Sequence, residues 1–130
     1  MFHDDPTILN DDRLFRRIHP QQLVPDERNA GKSRVSSGAF RDEELSIVIE
    51  STLSQSGRQP ADLLTAYAKH TLVAITAATA RAHDQKVARD PEADELAHGV
   101  VYGKKRKCAL ALSESIEWIV PTEPPPNVIP

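Results

Sequence analysis

Two adjacent arginines stand where a short strand is predicted. Residues 14–19 read Leu-Phe-Arg-Arg-Ile-His, and side chains alternate across a strand, so Arg16 and Arg17 lie on opposite faces, each beside apolar neighbours. A partly buried guanidinium needs an anionic partner, which is either a protein carboxylate or a ligand phosphate. Arg16 is therefore a candidate catalytic residue and Arg17 a candidate anion ligand, with a structural ion pair as the simpler interpretation.

A polar segment from Gly31 to Gly38 is a second candidate anion site. Its sequence is Gly-Lys-Ser-Arg-Val-Ser-Ser-Gly. A Walker loop would place another glycine five positions before Gly31, but that position is Asp26, whose carboxylate would repel phosphates. The segment is then either a solvated turn or an anion contact made by basic and hydroxyl side chains. The candidates for that contact are Arg34, Ser36 and Ser37.

The histidines do not form a metal-binding pattern. Four of them are scattered through the chain: His19, His70, His83 and His98. Because there is no i,i+4 pair, no H-E-x-x-H motif and no cysteine pair, the sequence predicts no metal site. His98 falls on a predicted strand, where a half-buried imidazole is either a general base or a hydrogen-bonded core residue.

Four consecutive cations, Lys104, Lys105, Arg106 and Lys107, stand at the start of a predicted helix. Cations at this end oppose the helix dipole, a cost that nucleic-acid phosphates, an acidic protein partner or the acidic first residues would offset. The cluster is a predicted partner-binding surface, with a solvated basic face as the simpler interpretation. Nucleic acid is less favoured, because the net charge of −3 and the 5% aromatic content leave little for phosphate and base contacts. Further on, Glu117 is a candidate catalytic acid, although such an acid is more often simply exposed.

A small set of residues resembles a known enzyme family. Arg16 on a first strand, the pair Ser36 and Ser37, and a later acid at Glu114 or Glu117 resemble the arginine, serine and glutamate arrangement of ADP-ribosyltransferases. The resemblance covers these few residues. It implies that Arg16 holds the phosphates of NAD and that Glu117 orients a ribose hydroxyl. The sequence departs from the family because it lacks the serine-threonine-serine triplet.

The composition indicates one small domain in a reducing compartment. The chain has 130 residues, of which 39% are hydrophobic and 27% charged, a balance typical of soluble globular domains. Its longest largely apolar stretch, residues 71–80, is shorter than the roughly 20 residues of a membrane-spanning helix, so no membrane contact is predicted. The acidic first residues do not fit a signal peptide, and Cys108 alone cannot form an intrachain disulfide, which favours the cytoplasm.

Three regions are expected along the chain. Residues 1–12 show no apolar period and predict a loosely held acidic arm. Residues 13–120 are the predicted domain, in which residues 21–33 read as a turn-rich loop. Residues 121–130 hold half of the ten prolines and predict a tail that favours polyproline II geometry.

Short apolar segments in the domain predict many strands and two modest helices. The predicted strands cover residues 14–18, 34–40, 45–50, 71–76, 86–88, 96–102 and 116–120. The predicted helices cover residues 60–69 and 104–112, with a helical turn to about residue 83; for residues 71–82 strand and helix remain alternatives. The order does not alternate as in a parallel fold, so the sequence predicts an α+β domain with a mainly antiparallel sheet, curled towards a half-barrel.

The expected function is interaction. No linear set of acid, base, nucleophile and metal ligand is evident, so the chain is predicted to be a small cytosolic accessory protein that binds a protein partner without a cofactor. The alternative class is a small nucleotide-handling enzyme. It would use NAD through the arrangement of Arg16, Ser36 and Glu117, or process RNA with arginine and histidine.

Overall fold

The computed structural model describes residues 1–127, and these form eight strands, three α-helices and three short 3-10 helices. The strands are β1 (Arg13–Ile18), β2 (Leu23–Pro25), β3 (Ser33–Val35), β4 (Glu44–Ile49), β5 (Thr71–Thr76), β6 (Lys86–Arg89), β7 (His98–Tyr102) and β8 (Glu117–Val120). The α-helices are α1 (Glu50–Gln55), α2 (Ala77–Ala82) and α3 (Ala109–Glu114). The 3-10 helices cover Pro20–Gln22, Ser37–Phe40 and Pro60–Leu64. None of the helices in residues 1–127 is long and apolar enough to cross a membrane.

Six of the strands form one antiparallel sheet. Their order is β6-β7-β4-β1-β5-β8, and β2 and β3 form a separate antiparallel hairpin. The large sheet is open, since β6 and β8 at its edges do not pair with each other. The α+β class and the mainly antiparallel sheet predicted from the sequence are therefore confirmed. Residues 71–82, for which strand and helix were alternatives, divide into the strand β5 followed by the helix α2.

Strand β1 lies inside the sheet and is covered on both faces. Leu14 and Ile18 point into a larger core that α2, α3 and Ser37–Phe40 complete. Phe15 points the other way, into a smaller core completed by α1 and Pro60–Leu64. Apolar residues at alternating positions on both sides are what a doubly covered strand requires.

The loose arm that the sequence predicts for residues 1–12 is not observed. Ile8 is fully buried and belongs to the larger core. The amide of Asp5 donates to the carbonyl of Val87 at 2.8 Å, and the carboxylate of Asp4 accepts from the Val87 amide at 2.9 Å. A single isoleucine among polar residues creates no period, so its burial left no pattern in the sequence.

The helix predicted for residues 60–69 is wrong, because a 3-10 helix covers only Pro60–Leu64. The helical pattern requires Leu63 and Tyr67 to share one buried face. Leu63 is buried, but Tyr67 is 41% exposed and packs against the guanidinium of Arg17 instead of the core.

Two further elements differ because of local hydrogen bonds. The strand predicted for residues 34–40 is the short β3 followed by a 3-10 helix, since the Ser36 hydroxyl accepts from the Gly38 amide at 3.2 Å and turns the chain. The helix predicted for residues 104–112 begins only at Ala109. In addition, β2 lies within a predicted loop, and the unpredicted helix α1 follows β4 directly. The three α-helices in the described part of the chain are therefore α1, α2 at the predicted helical turn, and α3.

The first part of the proline-rich tail lies against the hairpin. The Ser33 amide donates to the carbonyl of Pro125, and the Asn127 amide donates to the carbonyl of Gly31, both at 2.8 Å. Residues 128–130 of the predicted tail lie outside the described residues. The tail therefore lines the free side of β3.

Truncation of Ile8 tests whether the first residues belong to the core. Because Ile8 is fully buried, we expect Ile8→Ala to lower the free energy of unfolding by about 2–5 kcal/mol. The matched control is Leu9→Ala, since Leu9 is 64% exposed and its truncation should change stability by less than about 0.5 kcal/mol. Urea denaturation followed by Trp118 fluorescence measures both. Equal losses in the two variants would contradict the observed packing.

Candidate functional site

A recess of about 360 Å³ lies between the β2–β3 hairpin, α3, β8 and the tail. This volume falls in the range of about 300–1,000 Å³ that is usual for ligand pockets. We call this recess the hairpin cavity. Leu110, Ile116 and Trp118 give it an apolar wall, and Arg34 gives it a half-buried cation. The combination of an aromatic wall and a guanidinium suits a ligand that is both apolar and anionic.

The charged groups of the hairpin cavity are unevenly paired. Arg28 Nη1 lies 3.6 Å from Glu114 Oε2, and both side chains are exposed. The Asp26 carboxylate accepts from the Arg28 amide at 3.0 Å, within the loop of the hairpin. Arg34 forms no ion pair within residues 1–127. Of the three sequence-predicted anion contacts in this segment, Arg34, Ser36 and Ser37, only the arginine lines the hairpin cavity.

Strand β8 forms the uncovered edge of the large sheet. At the opposite edge, β6 is covered by the first residues of the chain, because the Asp5 amide donates to the carbonyl of Val87 at 2.8 Å. In the hairpin, β3 is covered by the tail. In residues 1–127, β8 pairs with β5 alone, and no loop donates to or accepts from its other edge. An edge of this kind presents unpaired N–H and C=O groups to another chain.

A second, smaller recess lies on the face of the sheet that carries Phe15. It has a volume of about 90 Å³ and is lined by β1, β4, β7 and Leu63. We call it the sheet hollow. Arg17 and His98 line it together, with Ser46 on the strand between them. Its lining includes three of the sequence-predicted site residues, Arg16, Arg17 and His98. The side chain of Arg16 points to the other face of the sheet, where it binds Ala39.

Hydrogen bonds orient the imidazole of His98. Its Nδ1 donates to the backbone oxygen of Asp90 at 2.8 Å and lies 3.4 Å from the carboxylate of the same residue. In the neutral ring the lone pair is therefore on Nε2, which lies 3.8 Å from Glu92 Oε1. Ser46 makes no hydrogen bond to this ring within residues 1–127. The observed contacts are those of a hydrogen-bonded structural histidine, one of the two interpretations that the sequence left open.

Arg16 binds backbone carbonyls, not a ligand site. Its Nε donates to Ala39 at 2.8 Å and its Nη1 donates to Ser46 at 2.9 Å. The nearest carboxylate, that of Asp42, is 3.9 Å away. Burial lowers the pKa of the Arg16 guanidinium, and its side chain is only 16% exposed. Arg16 therefore ties the 3-10 helix Ser37–Phe40 to the sheet and links β1 to β4, and the structural ion pair of the simpler interpretation is a weak addition.

The side chains that resemble the ADP-ribosyltransferase arrangement do not converge. Through the ladder with β5, Arg16 and Glu117 point to opposite faces of the sheet. Glu117 accepts a hydrogen bond from Arg13 Nη1 at 3.0 Å. Ser36 caps its own 3-10 turn, and neither Ser36 nor Ser37 lines the hairpin cavity or the sheet hollow.

Lys105 is buried, which corrects the prediction of a contact surface made of four cations. It is 3% exposed, and its Nζ donates to the carbonyls of Glu43, Val101 and Gly103 at 3.1, 2.9 and 2.8 Å. Burial lowers the pKa of Lys105 to about 8. These bonds hold the chain against the sheet, so α3 begins only after the cluster and the expected conflict with its dipole does not arise. The exposed members of the cluster are Lys104, Arg106 and Lys107.

Sequence reasoning missed the roles of two aromatic residues. Trp118 reads as a core residue of the last strand, yet it lines the hairpin cavity and is half-buried. Tyr67 reads as part of a helix face, yet its ring centre lies 4.3 Å from the guanidinium carbon of Arg17. The low aromatic content of the chain is the one signal that could have directed attention to them.

Within residues 1–127, no group of three or more His, Cys, Asp or Glu side chains is placed to hold a metal ion. Comparisons of the chain with protein-family models, with curated proteins and with solved structures found no match. The geometry of the two recesses is therefore the basis for assigning a function.

The buried ammonium of Lys105 predicts a pH-dependent stability. Its folded-state pKa of about 8 lies below the value of about 10.4 in an unfolded chain, so between these pH values the unfolded chain binds more protons. The stability of the wild type relative to Lys105→Met should therefore rise as the pH increases from about 8 to about 10. Urea denaturation across this range measures the difference, with Lys107→Met as the exposed control. A relative stability that falls over the same range would show the opposite sign of the pKa shift.

Proposed function

We propose that this chain is an interaction protein that binds an extended segment of a protein partner along β8. The observation that carries the proposal is the uncovered edge of β8 beside a recess of about 360 Å³. The opposite edge of the sheet and the free side of β3 are covered by the chain's own segments. Strand addition at such an edge supplies affinity through backbone hydrogen bonds, and neighbouring pockets supply specificity through side chains.

The lining of the hairpin cavity defines the chemistry of the partner segment. Leu110 is 57% exposed and lies with Ile116 and Trp118 along one wall, so an apolar side chain of the partner gains by covering it. Arg34 would pair with an Asp or Glu of the partner, because it lacks an ion pair in residues 1–127. The preferred segment is therefore short and extended, with one apolar and one acidic residue on the same face.

Two features of β8 favour a selective partner. The strand has four residues, and its register with β5 shifts between Leu72 and Val73, as at a β-bulge. Short and irregular edges pair poorly with arbitrary strands. A partner must therefore match the side-chain pocket as well as the backbone.

The compartment and the second contact surface are part of the same proposal. We infer the cytoplasm because Cys108 cannot form an intrachain disulfide and is free and buried. The exposed cations Lys104, Arg106 and Lys107 offer a second surface for an acidic region of the partner.

A peptide selection on the full chain tests the proposed binding mode. We expect a random displayed library to yield peptides that carry an apolar and an acidic residue two positions apart, since alternate residues of a strand share a face. Binding should move the emission of Trp118 to shorter wavelength and protect it from acrylamide. Arg34→Glu should weaken the selected peptides by about tenfold or more.

The control for the selection is Arg41→Glu, which makes the same charge change at an exposed position outside the hairpin cavity. Amide chemical shifts of the 15N-labelled protein locate the bound peptide, and the melting temperature of each variant shows that it is folded. The proposal is wrong if peptides map away from β8, if Arg34→Glu and Arg41→Glu act alike, or if no peptide binds at millimolar concentration.

A further inference from the structure

A cationic and aromatic cluster lies beside the sheet hollow, on the face opposite to Arg16. It consists of four residues that we call the Arg17 cluster: Arg17, His19, Tyr67 and His70. The guanidinium carbon of Arg17 lies 4.3 Å from the centre of the Tyr67 ring. The rings of His19 and His70 are 5.2 Å apart, and those of Tyr67 and His70 are 5.1 Å apart. Three elements of the fold therefore converge here: the end of β1, the loop after Pro60–Leu64 and the start of β5.

Arg17 has no ion-pair partner within residues 1–127. Its Nε donates to the carbonyl of Leu63 at 2.6 Å, which fixes the guanidinium. In these residues it forms no further hydrogen bond. The nearby carboxylate of Glu95 is already bound through both oxygens by Arg58, at 2.6 and 2.9 Å. The terminal nitrogens of Arg17 are thus fixed in position and available to an external acceptor.

The two histidines add hydrogen-bond donors to the cluster. Nδ1 of His19 accepts from the Gln21 amide at 3.0 Å, so the proton of its neutral ring is on Nε2. His70 forms no ion pair in the described part of the chain, and Lys69 beside it is exposed. Burial, followed by the charges of His19 and Arg17, lowers the pKa of His70. The cluster therefore gathers several hydrogen-bond donors around a positive potential.

We propose that the Arg17 cluster binds the terminal phosphate of a small phosphate monoester. Such a phosphate carries a charge of about −1.5 to −2 at neutral pH and three acceptor oxygens, which matches a guanidinium and two imidazole donors better than a carboxylate does. The sheet hollow beside Arg17, about 90 Å³ in volume, gives the site depth. A single compact cluster on a chain of net charge −3 suits a small ligand and not a nucleic-acid strand. This site is separate from the hairpin cavity, so its test is independent of the proposed function.

Binding at the cluster should tighten as the pH falls. A bound anion stabilises the protonated form of His70 and so opposes the effect of the neighbouring guanidinium of Arg17. The other charged groups near the cluster are Lys69, which is free in solvent, and the pair of Arg58 and Glu95, whose carboxylate stays ionised. Sulfate is the suitable probe of the protein's own titration, because its charge does not change between about pH 5 and 8.

Titrations of the 15N-labelled full chain with inorganic phosphate, AMP and sulfate test the site. We expect changes in amide chemical shift that are confined to residues of the Arg17 cluster and the sheet hollow. Sulfate should bind more tightly at pH 6 than at pH 8. Arg17→Gln should weaken phosphate binding by about tenfold or more. Arg41→Gln, at an exposed position outside both recesses, is the matched control and should leave it unchanged. AMP binding tighter than phosphate would place the base beside Tyr67, whereas equal affinities would mean that the phosphate alone is recognised.

A second variant keeps the test decisive if Arg17→Gln does not fold. His70→Ala removes a hydrogen-bond donor of the Arg17 cluster. It should weaken phosphate binding and abolish the pH dependence of sulfate binding, with an unchanged melting temperature. Unaltered titrations in a folded Arg17→Gln or His70→Ala variant would overturn the proposal. Chemical-shift changes spread over the whole surface would also overturn the proposal. So would a single-stranded oligonucleotide that binds far more tightly than AMP.

Discussion

Bonds from buried cations to backbone carbonyls hold the loops of this protein to its sheet. Arg16 binds the carbonyls of Ala39 and Ser46, and Lys105 binds three carbonyls around the end of β7. On the other face Arg17 binds the carbonyl of Leu63. A buried cation needs hydrogen-bond acceptors, and backbone carbonyls supply them here. These three side chains therefore fix the 3-10 helices Ser37–Phe40 and Pro60–Leu64, and the chain that follows β7, relative to the sheet.

Elements with a clear apolar period could be predicted from the sequence, and elements fixed by polar contacts could not. The β-branched and alternating segments predict β1, β4 and β5 correctly. These strands are also the basis on which the sequence predicted an α+β fold with a mainly antiparallel sheet. The helix start at Ala109 depends on where Lys105 is anchored, which no local pattern encodes. The burial of Ile8 depends on a strand almost eighty residues further along the chain, so its environment is also set at long range.

The same division applies to the candidate sites. The sequence singled out Arg17 and His98 as candidates for half-buried polar groups, and both are half-buried in the structure. It named Arg34 only as a candidate anion contact in a segment that a solvated turn would also explain. It could not show that Arg34 lies with Trp118 while Arg17 lies with His98. Convergence of this kind is set by the strand order, and a strand order of 6-7-4-1-5-8 is not visible in spacing along the chain.

The attachment of the first residues to β6 has a consequence for how the chain folds. Asp4 and Asp5 bind Val87, and β1 pairs with β5 across more than fifty residues of intervening chain. Contacts with such large sequence separation raise the contact order and slow folding, because loop entropy is lost before the contacts form. During synthesis β1 can pair with β4 first, and its other edge must wait for β5 to leave the ribosome. The unpaired edge of β1 is therefore open to aggregation over this interval.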